Sequence, residues 1–250
     1  MTGSLVVVGT GPGKADLMTP ATSAALARAT DLVGYGRYLD RVPVTGAGQC
    51  RHASDNRVEL DRARHALSLA AAGKQVVVVS GGDPGVFAMA AAVFEAVETG
   101  DPAWRSLDIR VEPGVTAMLA AAAEVGAPLG GDFCAISLSD NLKAWTTIER
   151  RLRAAAEADF VIALYNPASK ARPDQLGKAF DLLRAVKAAG TPVLFVRAAG
   201  TSQSKVVTTT LGTADATQAD MRTLIIIGAS TTRQVGRWVY TPRGEKGAQS

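Results

Sequence analysis

Short apolar runs alternate with helix-period segments along the chain, and most of the runs end on glycine or proline. Residues 5–8 are an apolar, β-branched run stopped by Gly9, the pattern of a strand buried on both faces. Thr19 then Pro20 have the chemistry of an N-cap and a first helical residue, predicting a helix through about residue 29. Residues 32–34 read as a short strand. Asn56 and Glu59 stand at capping-box spacing, opening a helix that Gly73 stops. Residues 75–80 are a second apolar run, ending in Gly81-Gly82-Asp83-Pro84-Gly85. Pro84 suits the first turn of a helix with Asp83 as its N-cap, and helix periodicity follows over 86–97. A third run at 109–111 stops at Pro113-Gly114. This β-α-β-α order predicts a mainly parallel sheet covered by helices.

Beyond Gly114 the texture changes. Helices are predicted near 116–125, 145–156 and 174–188, with strands around 134–137 and 160–165. Residues 193–196, 206–210, 224–227 and 238–241 then read as strands with little helix between them. The expected fold class is α/β in two domains: residues 1–112 with a mainly parallel sheet, and 113–250 with a mixed sheet. A length of 250 residues accommodates two modest domains.

A hydrophobic fraction of 47% is enough for two cores, yet no apolar run reaches the roughly 18 residues of a membrane span. Met1 to Gly3 lead straight into a strand with no signal-peptide pattern. A cytoplasmic protein with Cys50 and Cys134 reduced is expected, and no membrane partner. The net charge of +4 suits an anionic partner. It is not concentrated: Arg150, Arg151 and Arg153 make the richest cluster and read as a solvated helix face. Cys50 and His52 are close, but a closed zinc site takes four ligands and His65 stands farther along, so no metal is expected. There is no G-x-S-x-G elbow, and two histidines leave little room for a hydrolytic triad.

Chemistry concentrates in three loops that follow strands, where α/β sheets bind ligands. The first, Val8-Gly9-Thr10-Gly11-Pro12-Gly13-Lys14, fails the dinucleotide fingerprint because Lys14 replaces the third glycine. It fails the P-loop because Val8 and Ala15 replace a glycine and a hydroxyl residue. The second, Ser80 to Phe87, places two glycines before Asp83, more than a cap requires, as for a backbone wall against a flat ligand. The third, Glu112-Pro113-Gly114-Val115-Thr116-Ala117, stands at the expected domain junction.

Taken in order, V-G-x-G-P-G at 8–13, G-G-D-P at 81–84 and P-G-x-T-A at 113–117 resemble the tetrapyrrole methylase family. The resemblance runs from the first strand to Thr241-Pro242-Arg243-Gly244. Segments 137–142 (SLSDNL), 164–167 (LYNP), 197–201 (RAAGT) and 223–228 (TLIIIG) are similar to its branch that methylates corrin precursors at C(17). Many relatives carry methionine where Asn166 aligns.

The resemblance implies a homodimeric two-domain enzyme with a cleft between domains. S-adenosylmethionine (leaving as S-adenosylhomocysteine) would be its methyl donor and a tetrapyrrole, precorrin-3B, its substrate. Carried over position by position, the donor contacts fall on Pro12, Gly81, Gly82, Asp83, Val86, Thr116, Ala117, Asn166 and Gly200. The C(17) reaction also contracts the ring, so a proton acceptor is wanted. Asp140, in a polar loop past a strand, and Tyr165 are the catalytic candidates. Lys143, Lys170, Arg172 and Arg197, in or beside loops, are candidates for the substrate carboxylates. An RNA methyltransferase would favour exposed aromatics for stacking, and aromatics are only 5% of this chain. A non-catalytic nucleotide-binding module is disfavoured by the failed phosphate motifs.

Overall fold

The structure, a computed structural model, describes residues 3–43, 48–55, 58–169 and 171–244. The chain divides into two compact units, Met1–Thr116 and Ala117–Ser250. Among the described residues no helix is long and apolar enough to cross a membrane.

The first unit contains β1 (Ser4–Gly9), α1 (Pro20–Arg28), β2 (Asp31–Tyr35), a four-residue α2 (Gly36–Leu39) and β3 (Cys50–Ser54). It continues with α3 (Glu59–Ala71), β4 (Gln75–Ser80), α4 (Met89–Thr99) and β5 (Asp108–Glu112). The strands form one parallel sheet in the order β3-β2-β4-β1-β5. Successive residues face opposite sides. Leu5, Val7, Val76 and Val78 meet α3 and α4 through Ala63, Leu67 and Val93. Val8, Val77 and Val79 meet α1 through Ala25 and Leu26. Burial on both faces explains why these strands are continuous apolar runs instead of alternating ones.

Thr19 caps α1 as expected, its Oγ1 accepting the Thr22 N–H at 3.1 Å. Two other helix starts differ from expectation. The N-cap of α3 is Val58, which makes no side-chain cap bond, so the Asn56–Glu59 capping box is not its opening; Asn56 itself lies outside the described residues. Helix α4 begins at Met89, with Ala88 at the cap. Asp83 does not cap it, because both Asp83 oxygens accept loop amides instead.

The second unit contains α5 (Ala117–Val125), β6 (Gly126–Ala127), β7 (Phe133–Ser137), α6 (Trp145–Glu157), β8 (Val161–Tyr165) and α7 (Gln175–Arg184). It ends with β9 (Pro192–Arg197), β10 (Lys205–Thr210), β11 (Thr223–Ile227), β12 (Arg233–Val235) and β13 (Trp238–Tyr240). Its main sheet has the order β10-β9-β11-β8-β7. Only β7 and β8 pair in parallel, so the sheet is mixed. Ile148 and Leu152 of α6 and Leu176, Phe180 and Leu183 of α7 cover one face, against Ile162, Leu164, Phe195 and Ile225. A small second sheet joins β12, β13 and β6, and Thr241 Oγ donates to the Pro128 carbonyl at 2.6 Å.

Helix α7 stops at Arg184, short of the expected residue 188. The chain leaves the helix there and brings Lys187, only 4% exposed, to Asp159 at 2.9 Å. Asp159 also accepts the Ser230 amide and hydroxyl. Burial pushes the Asp159 carboxyl up, but Ser230 and Lys187 outweigh it and hold it below the ordinary carboxylate value. A depressed folded-state pKa means the stabilisation is complete above about pH 4 and is lost as pH falls through the folded value. Asp159→Asn should therefore destabilise the second unit at pH 7 by about 2 kcal/mol, moderated by the partial exposure of Asp159. The difference from the parent protein should shrink towards zero in denaturant titrations as the pH falls through the lowered folded-state pKa of Asp159.

Candidate active site

Strands β4, β1 and β5 are parallel neighbours, so their carboxyl ends lie side by side. The chain leaves β1 towards the β3 edge and leaves β4 towards β5, which makes the β1/β4 boundary a topological switch point. All three motif loops emerge there. Gly9 pairs with Ser80 in register. Gly11 and Gly82 then exchange both backbone hydrogen bonds, at 3.1 and 2.9 Å. Both need positive φ, +71° and +66°, which glycine adopts without strain.

The loops touch backbone to backbone. A Cβ added to Gly9 would lie 2.5 Å from the Gly82 oxygen and 2.8 Å from the Gly114 nitrogen, and a Cβ on Gly114 would also strike the Gly82 oxygen. Asp83 locks the third loop to the second: Oδ2 accepts the Gly114 N–H at 3.0 Å and Oδ1 the Gly85 N–H at 2.8 Å. Val86 closes the turn by donating its N–H to the Asp83 carbonyl at 3.3 Å. Pro12 and Val86 are half-buried and Thr116 is buried. The six donor-contact expectations within this unit, Pro12, Gly81, Gly82, Asp83, Val86 and Thr116, all fall in these loops.

Tyr38 belongs to the same place and was not expected. Its ring lies against Gly81, where an added Cβ would be 2.8 Å from a ring carbon. Burial raises its phenol above the ordinary value. The signal was present: residues 33–38, V-G-Y-G-R-Y, also leave a strand through glycine. β2 is the neighbour of β4, which sets Tyr38 beside Gly81.

In the second unit, Ala117 opens α5, and the next amide, Met118, donates to Tyr165 Oη at 3.0 Å. Tyr165 is thus half-buried at a helix start and not a core ring. Asn166 has φ +54° and donates from Nδ2 to Ser137 Oγ at 2.9 Å. Asparagine tolerates that left-handed conformation better than methionine, which accounts physically for the departure at this position. Asp140 Oδ2 accepts from Gln175 Nε2 at 3.1 Å, and Arg172 Nε stands 3.9 Å from its other oxygen. The Arg172 side chain is 12% exposed, and its buried Nη1 has no hydrogen-bond partner among the described residues. Gly200 is buried in the turn between β9 and β10, with φ +70°. Arg197 is committed to Asp220, with Nε donating at 2.8 Å. Lys143 is half-buried, and burial, then Arg151, lower its pKa. Lys170 lies outside the described residues.

His52 and His65, far apart in sequence, come together: His52 Nε2 is 2.8 Å from Asp31 Oδ1, and its Nδ1 is 3.1 Å from His65 Nε2. Among the described residues, no group of three or more His, Cys, Asp or Glu side chains is placed to hold a metal ion.

Known proteins share both the sequence and the fold. The family model for tetrapyrrole (corrin/porphyrin) methylases matches residues 4–215. A precorrin-3B C(17)-methyltransferase from Sinorhizobium sp. is 61% identical, with 99% of each chain covered. The crystal structure of the methyltransferase CobJ superposes with a TM-score of 0.94 at 54% identity, over 96% of this chain and all of that one. The uroporphyrin-III C-methyl transferase of Thermus thermophilus, solved with S-adenyl homocysteine, shares the fold at a TM-score of 0.67 and 24% identity, over 90% of this chain and 97% of that one. With its three glycine loops joined at one switch point and its whole length matched, the chain belongs to the tetrapyrrole (corrin/porphyrin) methylase family.

Proposed function

We propose that this chain transfers a methyl group from S-adenosylmethionine to C(17) of precorrin-3B and contracts the macrocycle. Near full-length likeness to the Sinorhizobium enzyme carries the choice of substrate. The glycine junction fits the donor. Gly81 presents bare backbone beside Tyr38, and Asp83 holds the neighbouring loop so that this surface is preformed. In this reading Pro12, Gly81, Gly82, Asp83, Val86, Thr116, Ala117, Asn166 and Gly200 contact the donor, and the active protein is a cytoplasmic homodimer.

Bound there, S-adenosylmethionine supplies a sulfonium-bound methyl carbon open to in-line attack. The work left to the chain is alignment and exclusion of water, which can lower a barrier by roughly 7–11 kcal/mol. No strongly activated nucleophile is needed. Contraction requires a ring hydroxyl to lose its proton, a task assigned to Asp140 or Tyr165. Both are held for it: Asp140 by Gln175 and Arg172, Tyr165 by the Met118 amide. The buried Arg172 guanidinium and Lys143 are assigned to substrate carboxylates. Arg197 is less suited, since Asp220 already engages it.

Anaerobic incubation with S-adenosylmethionine and precorrin-3B, read by mass spectrometry, should give a product heavier by one methyl with an altered visible spectrum. No mass change despite donor binding would reject precorrin-3B and turn the assay to cobalt-precorrin-3. Full ring contraction by Asp140→Ala would remove Asp140 from the mechanism. Two further variants should separate the two binding functions. Gly114→Ala must displace the Gly82 backbone, so it should weaken S-adenosylhomocysteine binding by at least tenfold in calorimetry. Lys143→Ala with Arg172→Ala should instead raise the tetrapyrrole KM roughly tenfold and leave that binding unchanged.

A further inference from the structure

Helix α5 is tied at both ends to strand ends of its own unit. At its start the Met118 amide donates to Tyr165 at the end of β8. Near its end Glu124, half-buried, reaches the turn between β9 and β10. Its Oε1 accepts the Gly200 N–H at 2.7 Å, and its Oε2 accepts the Ser204 hydroxyl. One carboxylate thus bridges the turn, 76 and 80 residues away along the chain.

The turn needs such a brace. Ala198 has φ +53° and Gly200 φ +70°, two left-handed residues within three positions. For alanine that conformation is strained, and it persists only where the surroundings impose it. Within the turn Thr201 donates its hydroxyl to the Ala198 carbonyl at 2.8 Å, and from outside it the Arg222 carbonyl accepts the Ala198 N–H at 2.8 Å. Neither holds Gly200. Glu124 does, with a charge-assisted bond, the stronger kind.

We propose that Glu124 is a positioning residue for the methyl donor. By engaging the Gly200 N–H it fixes the orientation of the Ala199–Gly200 peptide, and with it the placing of the Gly200 Cα. The same helix carries Ala117 at its first position and meets Tyr165, the neighbour of Asn166. Glu124 thereby sets the spacing of three donor contacts, Ala117, Asn166 and Gly200, within one unit. This assignment rests on the donor reading above.

The test is calorimetric titration of the full chain with S-adenosylhomocysteine. Glu124→Ala should raise Kd roughly tenfold with unchanged stoichiometry, as expected for loss of a hydrogen bond to a charged group. Glu124→Asp keeps the charge but shortens the reach, and it should weaken binding in the same direction. Glu124→Gln retains an acceptor for Gly200 and should stay within about threefold of the parent protein. Tetrapyrrole KM at saturating donor should not move in any of them. A merely structural role would lower the melting temperature and the bound fraction while leaving the Kd of the folded molecules unchanged. Parental Kd in Glu124→Ala or Glu124→Asp would overturn the assignment alone. No binding by the parent protein would overturn the donor reading, and this assignment with it.

Discussion

Close approach of three backbones, at Gly9, Gly82 and Gly114, is the constraint on which the first unit depends. A side chain at Gly9 or Gly114 would strike the Gly82 carbonyl, and the ends of β1, β4 and β5 could not share one surface. Parallel pairing brings the three ends side by side, and the connections from β1 and β4 run to opposite faces of the sheet, through α1 on one and α4 on the other. Asp83 then turns proximity into rigidity. Its two oxygens hold amides from its own loop and from the loop 31 residues on.

The second unit reaches a comparable arrangement by other means. Its sheet is mixed, so fewer strand ends point the same way, and side chains do what bare backbone does in the first unit. Asn166 bonds Ser137 across the parallel β7/β8 pair, Tyr165 receives the first turn of α5, and Gln175 holds Asp140. Left-handed backbone occurs at Asn166 and Ala198, both just past strand ends, and at Asp159 just before β8. Such conformations persist where packing over-determines them, as it does here.

Much of this was legible in the residue pattern, because its signals are local. A β-branched run ending in glycine announces a strand and its loop, and Thr19-Pro20 announces a helix start. The three motifs were readable in order before any geometry was known. What escaped depends on which elements land beside one another. Asp83-Pro84 has the local chemistry of a helix cap, but the Gly114 amide, distant in sequence, wins the carboxylate. Tyr38 matters only because β2 lies next to β4, and Glu124 only because the β9/β10 turn folds over α5. His52 and His65 are likewise joined by the packing of α3 on the sheet, which no spacing rule encodes.

The small sheet of β12, β13 and β6 carries a consequence for synthesis. Strand β6 follows directly on α5, yet its partner β13 is Trp238–Tyr240, more than a hundred residues later, and Thr241 reaches back to Pro128. The five strands of the first unit, by contrast, are all present once Glu112 has been made. On the ribosome the amino-terminal unit can close while the rest is still being translated, as domains generally do. The carboxyl-terminal unit has to hold β6 without its strand partner until β13 emerges. Its exposure to misfolding is therefore set by the time taken to translate the residues between β6 and β13, and a pause among them prolongs that exposure.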